Sequence, residues 1–279
     1  MQKLLYPLTT ELMTFVYLLN HTVERSLRRE CDMSVVQYRT LSCLKQQNEL
    51  SEAKIASILA TSASQLSQGL SVLAGKNYIR SRTNQGPAKT IALTKTGKRA
   101  LDNADLVLAE AVNAVFGPLG EELGGAIRSG SMLTNQRHGI VRVEEGSFFE
   151  EHACFEAFLE AERISKKATQ DYGLTYTQFR ILFEMLCAGP MSQSYLAKRL
   201  QLSPSVISDA CVKLHERGLI ADTHAANDKR IRIFSLTESG RDLAEVSAIH
   251  VDRRCFEDIR PSSDAERTLY QRMADIVAR

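Results

Sequence analysis

Apolar side chains recur at helical spacing in two stretches of the chain. Residues 3–30 place Leu4, Leu8, Leu12, Phe15, Leu19 and Val23 along one face, and residues 148–171 do so with Phe148, Phe155, Phe158 and Leu159. Each stretch predicts a long amphipathic helix. A second helix follows around 35–47 and again around 175–187. Ser51 and Ser192 then stand where an N-cap would start a short third helix, with Ile55, Ala56 and Leu59, or Leu196, Ala197 and Leu200, turned inward.

These parallels come from an internal repeat. Gln37-Tyr38-Arg39-Thr40-Leu41 aligns with Gln178-Phe179-Arg180-Ile181-Leu182 at a shift of 141 positions. The same shift carries Leu50-Ser51 onto Met191-Ser192, Ser64 onto Ser205, Ser67 onto Ser208 and Leu73 onto Leu214. Further on, Leu93-Thr94-Lys95-Thr96-Gly97 meets Leu236-Thr237-Glu238-Ser239-Gly240 at a shift of 143. The second copy therefore holds two extra residues between Ile220 and Leu236, a change that a hairpin tip absorbs. Two domains are expected, residues 1–140 and 141–279.

A fourth helix in each copy carries the candidate chemistry. Ser203 is a good N-cap, Pro204 suits the first helical position, and Ile207, Ala210, Cys211 and Leu214 share a buried face. Ser205, Ser208, Asp209 and Lys213 lie opposite. In the first copy Leu66, Gly69, Leu70 and Leu73 are the buried set, with Ser62 at the start and Ser64, Gln65, Ser67, Gln68 and Ser71 outward. Slim hydrogen-bonding side chains are what a helix needs to approach base edges in a major groove. A solvated helix face is the alternative reading of the same stripe.

The segment that follows favours DNA. Gly218 and its counterpart Asn77 suit a left-handed helix end. A hairpin comes next in each copy. The second runs from Ala221 to Leu236, with Asn227, Asp228, Lys229 and Arg230 at its tip and Ile231, Ile233 and Leu236 alternating with Arg232 and Ser235. The first runs from Arg80 to Leu93, with Arg82 and Lys89 on its arms and Gly86-Pro87 at the tip. A basic hairpin reaching across a phosphate backbone is a wing.

Composition limits the remaining classes. A chain of 279 residues with 44% hydrophobic and 24% charged residues is globular and large enough for two cores. Its net charge of +2 does not by itself imply a polyanion partner. The distribution does: Lys and Arg outnumber Asp and Glu by five to one over 51–94 and by seven to four over 192–236. The start of the chain carries no export pattern, and no run of eighteen apolar residues occurs, so a cytoplasmic protein without membrane partners is expected. Six scattered cysteines without a CxxC pair fit reduced core thiols. There is no phosphate loop, HExxH, GxSxG or zinc-finger spacing, so neither an enzyme nor a cofactor or metal site is expected.

Leu174-Thr175, Gln178, Leu196-Ala197, the run Leu202 to Ser208, Leu214, Gly218-Leu219-Ile220, Asp228, Arg230 and Leu236 to Gly240 together resemble the MarR family of winged-helix regulators. The resemblance implies a mainly helical fold with small β-wings, and here two winged helix-turn-helix domains plus a helical pseudo-dimer interface. Residues 98–116, 119–137, 238–258 and 262–278, with the connector His138 to Gly146, would build that interface. It implies a repressor of double-stranded DNA released by a small-molecule effector. Base and phosphate contacts fall on Ser62, Ser64, Gln65, Ser67, Gln68, Arg82 and Lys89, and on Ser203, Ser205, Ser208, Asp209, Lys213, Asn227, Lys229, Arg230 and Arg232.

The chain departs from the family where two successive acidic-x-Arg steps are usual in the wing. Ala225-Ala226-Asn227 replaces the first step, and only Asp228-Lys229-Arg230 remains. A fused chain would act as an internal pseudo-dimer, alone or as a homodimer, on a pseudo-palindromic but asymmetric operator. Two alternatives stand beside this reading. One is a protein-interaction scaffold that has lost DNA contact. The other is a redox-responsive regulator using Cys154, placed similarly to the sensing thiol of peroxide-responsive members, with a buried structural thiol as the simpler role.

Overall fold

The computed structural model describes residues 10–83, 89–117, 149–225 and 228–256. The first run of elements is α1 (Thr10–Cys31), α2 (Val35–Gln47), β1 (Glu49–Ser51), α3 (Glu52–Leu59), α4 (Ala63–Gly75), β2 (Ile79–Thr83), β3 (Lys89–Leu93) and α5 (Lys95–Phe116). The second run repeats that order. It comprises α6 (Phe149–Gln170), α7 (Tyr176–Ala188), β4 (Met191–Ser192), α8 (Gln193–Leu200), α9 (Pro204–Glu216), β5 (Ile220–Ala225), β6 (Asp228–Leu236) and α10 (Glu238–Phe256). The helices expected over 119–137 and 262–278, the connector from His138, the Gly86-Pro87 tip and Asn227 lie outside the described residues.

Each run contains a three-stranded antiparallel sheet, ordered β1-β3-β2 in the first and β4-β6-β5 in the second. The hairpins β2-β3 and β5-β6 match the expected wings, whereas β1 and β4 have no counterpart among the expected elements. The hairpin registers explain the two extra residues: Ile79 faces Leu93 in one stem and Ile220 faces Leu236 in the other, whose ladder shifts between His224 and Ala225. Irregularity near the tip takes up the added length without disturbing the stem.

The second helix of each run is its hub. α2 packs on α3, α4 and α5, and α7 packs on α8, α9 and α10. Both start with a reciprocal capping box, Ser34 with Gln37 and Thr175 with Gln178, so two orphan amides are satisfied at each start. Stems and following helices are joined by a close contact that only glycine permits. A Cβ on Gly97 would lie 2.0 Å from the Tyr78 carbonyl oxygen, and one on Gly240 would lie 1.8 Å from that of Leu219. Thr94 and Thr237 cap these helices through Gly97 N and Gly240 N at 2.9 and 3.0 Å.

The described chain packs as two compact units, Leu19–Phe158 and Met1–Leu18 with Leu159–Arg279. The long first helix of each run contributes residues to both. In the first unit Leu19, Val23, Leu27, Leu41 and Ile55 are buried. In the second, Phe179, Phe183, Leu196, Ile207 and Phe234 belong to one continuous core.

Candidate nucleic-acid interface

The turn between the third and fourth helices is built the same way twice. α3 and α8 end on residues in the left-handed conformation, Ala60 with φ 48° and Gln201 with φ 52°. Neither is glycine, so each position carries strain that its surroundings must hold. An arginine from the hub helix supplies part of the hold. Arg39 Nη1 donates to Leu59 O at 3.0 Å, and Arg180 Nη2 donates to Leu200 O at 2.7 Å. A cation on the last carbonyl of a short helix also complements its dipole. The repeated Gln-aromatic-Arg motif is thus a capping and turn-fixing device.

The rest of each guanidinium is held differently, and Arg180 Nε is buried without a hydrogen-bond partner. Arg39 forms a bidentate pair with Glu156, with Nη2 to Oε2 at 2.7 Å and Nε to Oε1 at 2.8 Å. Arg180 donates to Thr14 Oγ1 at 3.0 Å and lies over the Tyr17 ring, 4.7 Å from its centroid. Burial pushes the Arg180 pKa down from its ordinary value, opposed by Tyr176, Tyr17, Glu162 and Glu184.

On the fourth helices the faces fall as expected. Leu66, Gly69, Leu70 and Leu73 are buried in α4, and Ile207, Ala210, Cys211 and Leu214 in α9. Ser64, Gln65, Ser67 and Gln68, and Ser205, Asp209 and Lys213, are exposed, while Ser208 is half-buried. Ser62 and Ser203 are N-caps, accepting from Gln65 N at 3.2 Å and Val206 N at 3.4 Å, so each hydroxyl oxygen already serves the helix. Gln65 is also engaged, its Oε1 accepting from Thr61 at 3.1 Å. Val206 and Val212, which align with Gln65 and Ser71 in the repeat and are expected on or near the base-facing surface, are 41% and 51% exposed on α9.

In the wings, Lys89 and Arg230 are exposed. The side chains of Arg82, Asn227 and Lys229 lie outside those described. Arg232 is held by Asp222 across the hairpin, Nε to Oδ2 at 2.8 Å, with its guanidinium 5.3 Å from the Phe234 ring centroid. Arg232 holds the Asp222 pKa below its ordinary value, and the carboxylate also faces His215 Nε2 of α9 at 3.2 Å. Asp222 therefore links wing and helix. Ile231, one of the apolar residues that alternate with Arg232 and Ser235 on the return strand, is 44% exposed.

A second pair of cations ties each fourth helix to the loop before its hub helix. Lys76 donates to Asp32 O at 2.5 Å, and Arg217 donates to Gly173 O at 2.8 Å. Both acceptor residues have positive φ, 48° and 64°, and so do Asn77 and Gly218 beside the cations, at 57° and 66°. Glycine or asparagine at three of these four positions fits the steric demand.

Cys43, Cys154 and Cys211 are buried, whereas Cys187 is exposed rather than a core thiol. Burial pushes the Cys43 and Cys211 thiols up to about 11, away from thiolate chemistry. Cys154, the candidate redox residue, is fully enclosed. Among the described residues no group of three or more His, Cys, Asp or Glu could hold a metal ion, and no helix is long and apolar enough to cross a membrane.

The MarR family model matches residues 172–231, which span α7 to the return strand of the second wing. Among curated proteins, the HTH-type transcriptional regulator SarZ of Staphylococcus epidermidis is 24% identical over 138 residues, covering 48% of this chain and 93% of that protein. The transcriptional regulator ZitR of Lactococcus lactis is 36% identical over 80 residues, covering 29% of this chain and 54% of its own. Among solved structures, that of Bordetella bronchiseptica BpsR, described for regulation of its DNA binding by 6-hydroxynicotinic acid, is 22% identical. It covers 46% of this chain and 97% of that one with a TM-score of 0.40. The curated relatives are transcriptional regulators, and residues 172–231 of this chain are similar to the MarR family of helix-turn-helix regulators.

Proposed function

We propose that this chain is a sequence-specific double-stranded DNA-binding repressor responsive to a small ligand, acting as a covalent pseudo-dimer of the units 1–140 and 141–279. The observation that carries the reading is repetition: each run presents an N-capped helix with an exposed polar stripe, followed by a hairpin with basic arms. In a homodimer two identical helices read two half-sites about one DNA turn apart, and the operator is palindromic. Here one chain supplies both readers, so the operator is pseudo-palindromic and asymmetric. Ser64, Ser67, Gln68, Ser205, Asp209 and Lys213 meet bases or nearby phosphates. Lys89, Lys229 and Arg230 meet backbone or minor groove.

The test is a binding titration on duplexes selected from random DNA, repeated at several salt concentrations. Affinity should fall steeply as salt rises, because each Lys or Arg that neutralises a phosphate releases a counterion. Replacing Lys229 and Arg230 with Ala should flatten the slope by roughly one to two units. Binding that is absent, or insensitive to salt, would remove DNA as the partner.

A further inference from the structure

We infer that Gln68 and Asp209 are the specificity-determining residues of the two fourth helices, and that they select different bases: adenine at one half-site and cytosine at the other. The inference rests on the DNA-reading role proposed above. At 100° per residue, the side chains farthest from the buried face of α4 are Ser64, Gln68, Ser71 and Gly75, and on α9 they are Ser205, Asp209, Val212 and Glu216. These form the line that would run deepest along a groove. Gly75 and Glu216 close their helices at the end away from the N-terminal turns that meet base edges. Ser64 and Ser205 are common to both helices and cannot distinguish them.

What remains on α4 is Gln68 with Ser71, and on α9 Asp209 with Val212, a residue without hydrogen-bonding capacity. Gln65, the other glutamine of α4, has its carbonyl oxygen occupied by Thr61. Gln68 and Asp209 are exposed and make no hydrogen bond or ion pair among the described residues. They occupy the same register in the repeat. A free amide offers a donor and an acceptor together, the pattern that pairs with adenine N7 and N6 in the major groove. A free carboxylate offers acceptors only. In the major groove guanine presents acceptors to it, thymine an acceptor and a methyl, and cytosine a donor amine with no neighbouring acceptor of its own. Asp209 therefore favours cytosine N4 and disfavours the bases that Gln68 accepts.

Selection of sites from random duplex DNA by the full chain, compared with its Asp209→Asn and Gln68→Ala variants, tests this. Both positions are exposed, and matching thermal melts will establish that folding is unchanged. The unsubstituted chain should enrich cytosine at one position of one half-site. Asp209→Asn should convert that preference to adenine, with a change of about tenfold in relative affinity for the two bases, and leave the other half-site as it was. Gln68→Ala should relax adenine preference in the other half-site alone. An Asp209→Asn consensus identical to that of the parent chain overturns the assignment while leaving DNA binding intact. No enrichment of any duplex by the parent chain overturns the DNA-reading role itself, and the assignment with it.

Discussion

The hub helices α2 and α7 occupy equivalent places in the repeat, yet one core is wired with polar groups where the other is filled with carbon. In the first, Tyr38 donates to Asp105 at 2.9 Å and lies 2.7 Å from His152 Nδ1, while Arg39 is paired to the buried Glu156. In the second, Phe179 stands where Tyr38 does and stacks on Phe183 with centroids 5.7 Å apart, and Ala248 takes the place of Asp105. The same arginine persists in both because both need its bond to the end of the third helix. Its counter-charge is not fixed by that need, so the two halves diverged there. A duplicated frame preserves the contacts that set backbone geometry and leaves the neutralisation of a buried charge free to vary.

That contrast is broken most severely by Glu156→Ala. Removing the carboxylate leaves Arg39 largely buried without its partner, and the loss in urea unfolding should be about 3–5 kcal/mol. Thr14→Val in the other unit removes one hydroxyl acceptor from Arg180 while leaving the Leu200 carbonyl and the Tyr17 ring in place. Its expected cost is smaller, about 1.5–3 kcal/mol in the same assay. Equal losses from the two substitutions would show that the arginines are held alike.

A pH titration of stability sharpens the contrast further. Tyr38 has one hydroxyl proton, which goes to Asp105, so His152 must donate through Nδ1 and keep Nε2 as an unprotonated atom. Nε2 is buried without a hydrogen-bond partner, 4.0 Å from Glu156 Oε1. Burial lowers the His152 pKa below its ordinary 6.5, against the raising effects of Glu156 and Asp105. A histidine held neutral in the fold but free to bind a proton when unfolded stabilises the fold above about 6.5 and loses that contribution as pH falls below it. Thermal melts should therefore drop between about pH 6.5 and 5, with a shallower slope in His152→Gln. An unchanged slope in the variant would assign the acid sensitivity to other groups.

Local features were legible in the sequence. Ser51, Ser192 and Ser203 are the caps that their placement suggested, and Gly218 and Asn77 adopt the left-handed conformation. The buried faces of α4 and α9 followed from periodicity alone. What periodicity could not reveal was non-local. β1 and β4 have three and two residues, too few for an alternating pattern to register. Arg39 and Glu156 lie 117 positions apart, and nothing in either segment marks them as partners. Arg232 read as a wing cation because its charge is visible in sequence, whereas its engagement by Asp222 depends on the register of the hairpin.

On the function proposed above, the same divergence, carried to the exposed stripes of α4 and α9, distinguishes a single chain with two unlike readers from a pair of identical subunits. The most direct test is the number of chains bound to one selected operator, measured by native mass spectrometry on a duplex that contains two half-sites and no more. One chain per duplex, with binding lost when either half-site is scrambled, is the predicted result. Two chains on that duplex, each tolerating loss of one half-site, would contradict the covalent pseudo-dimer.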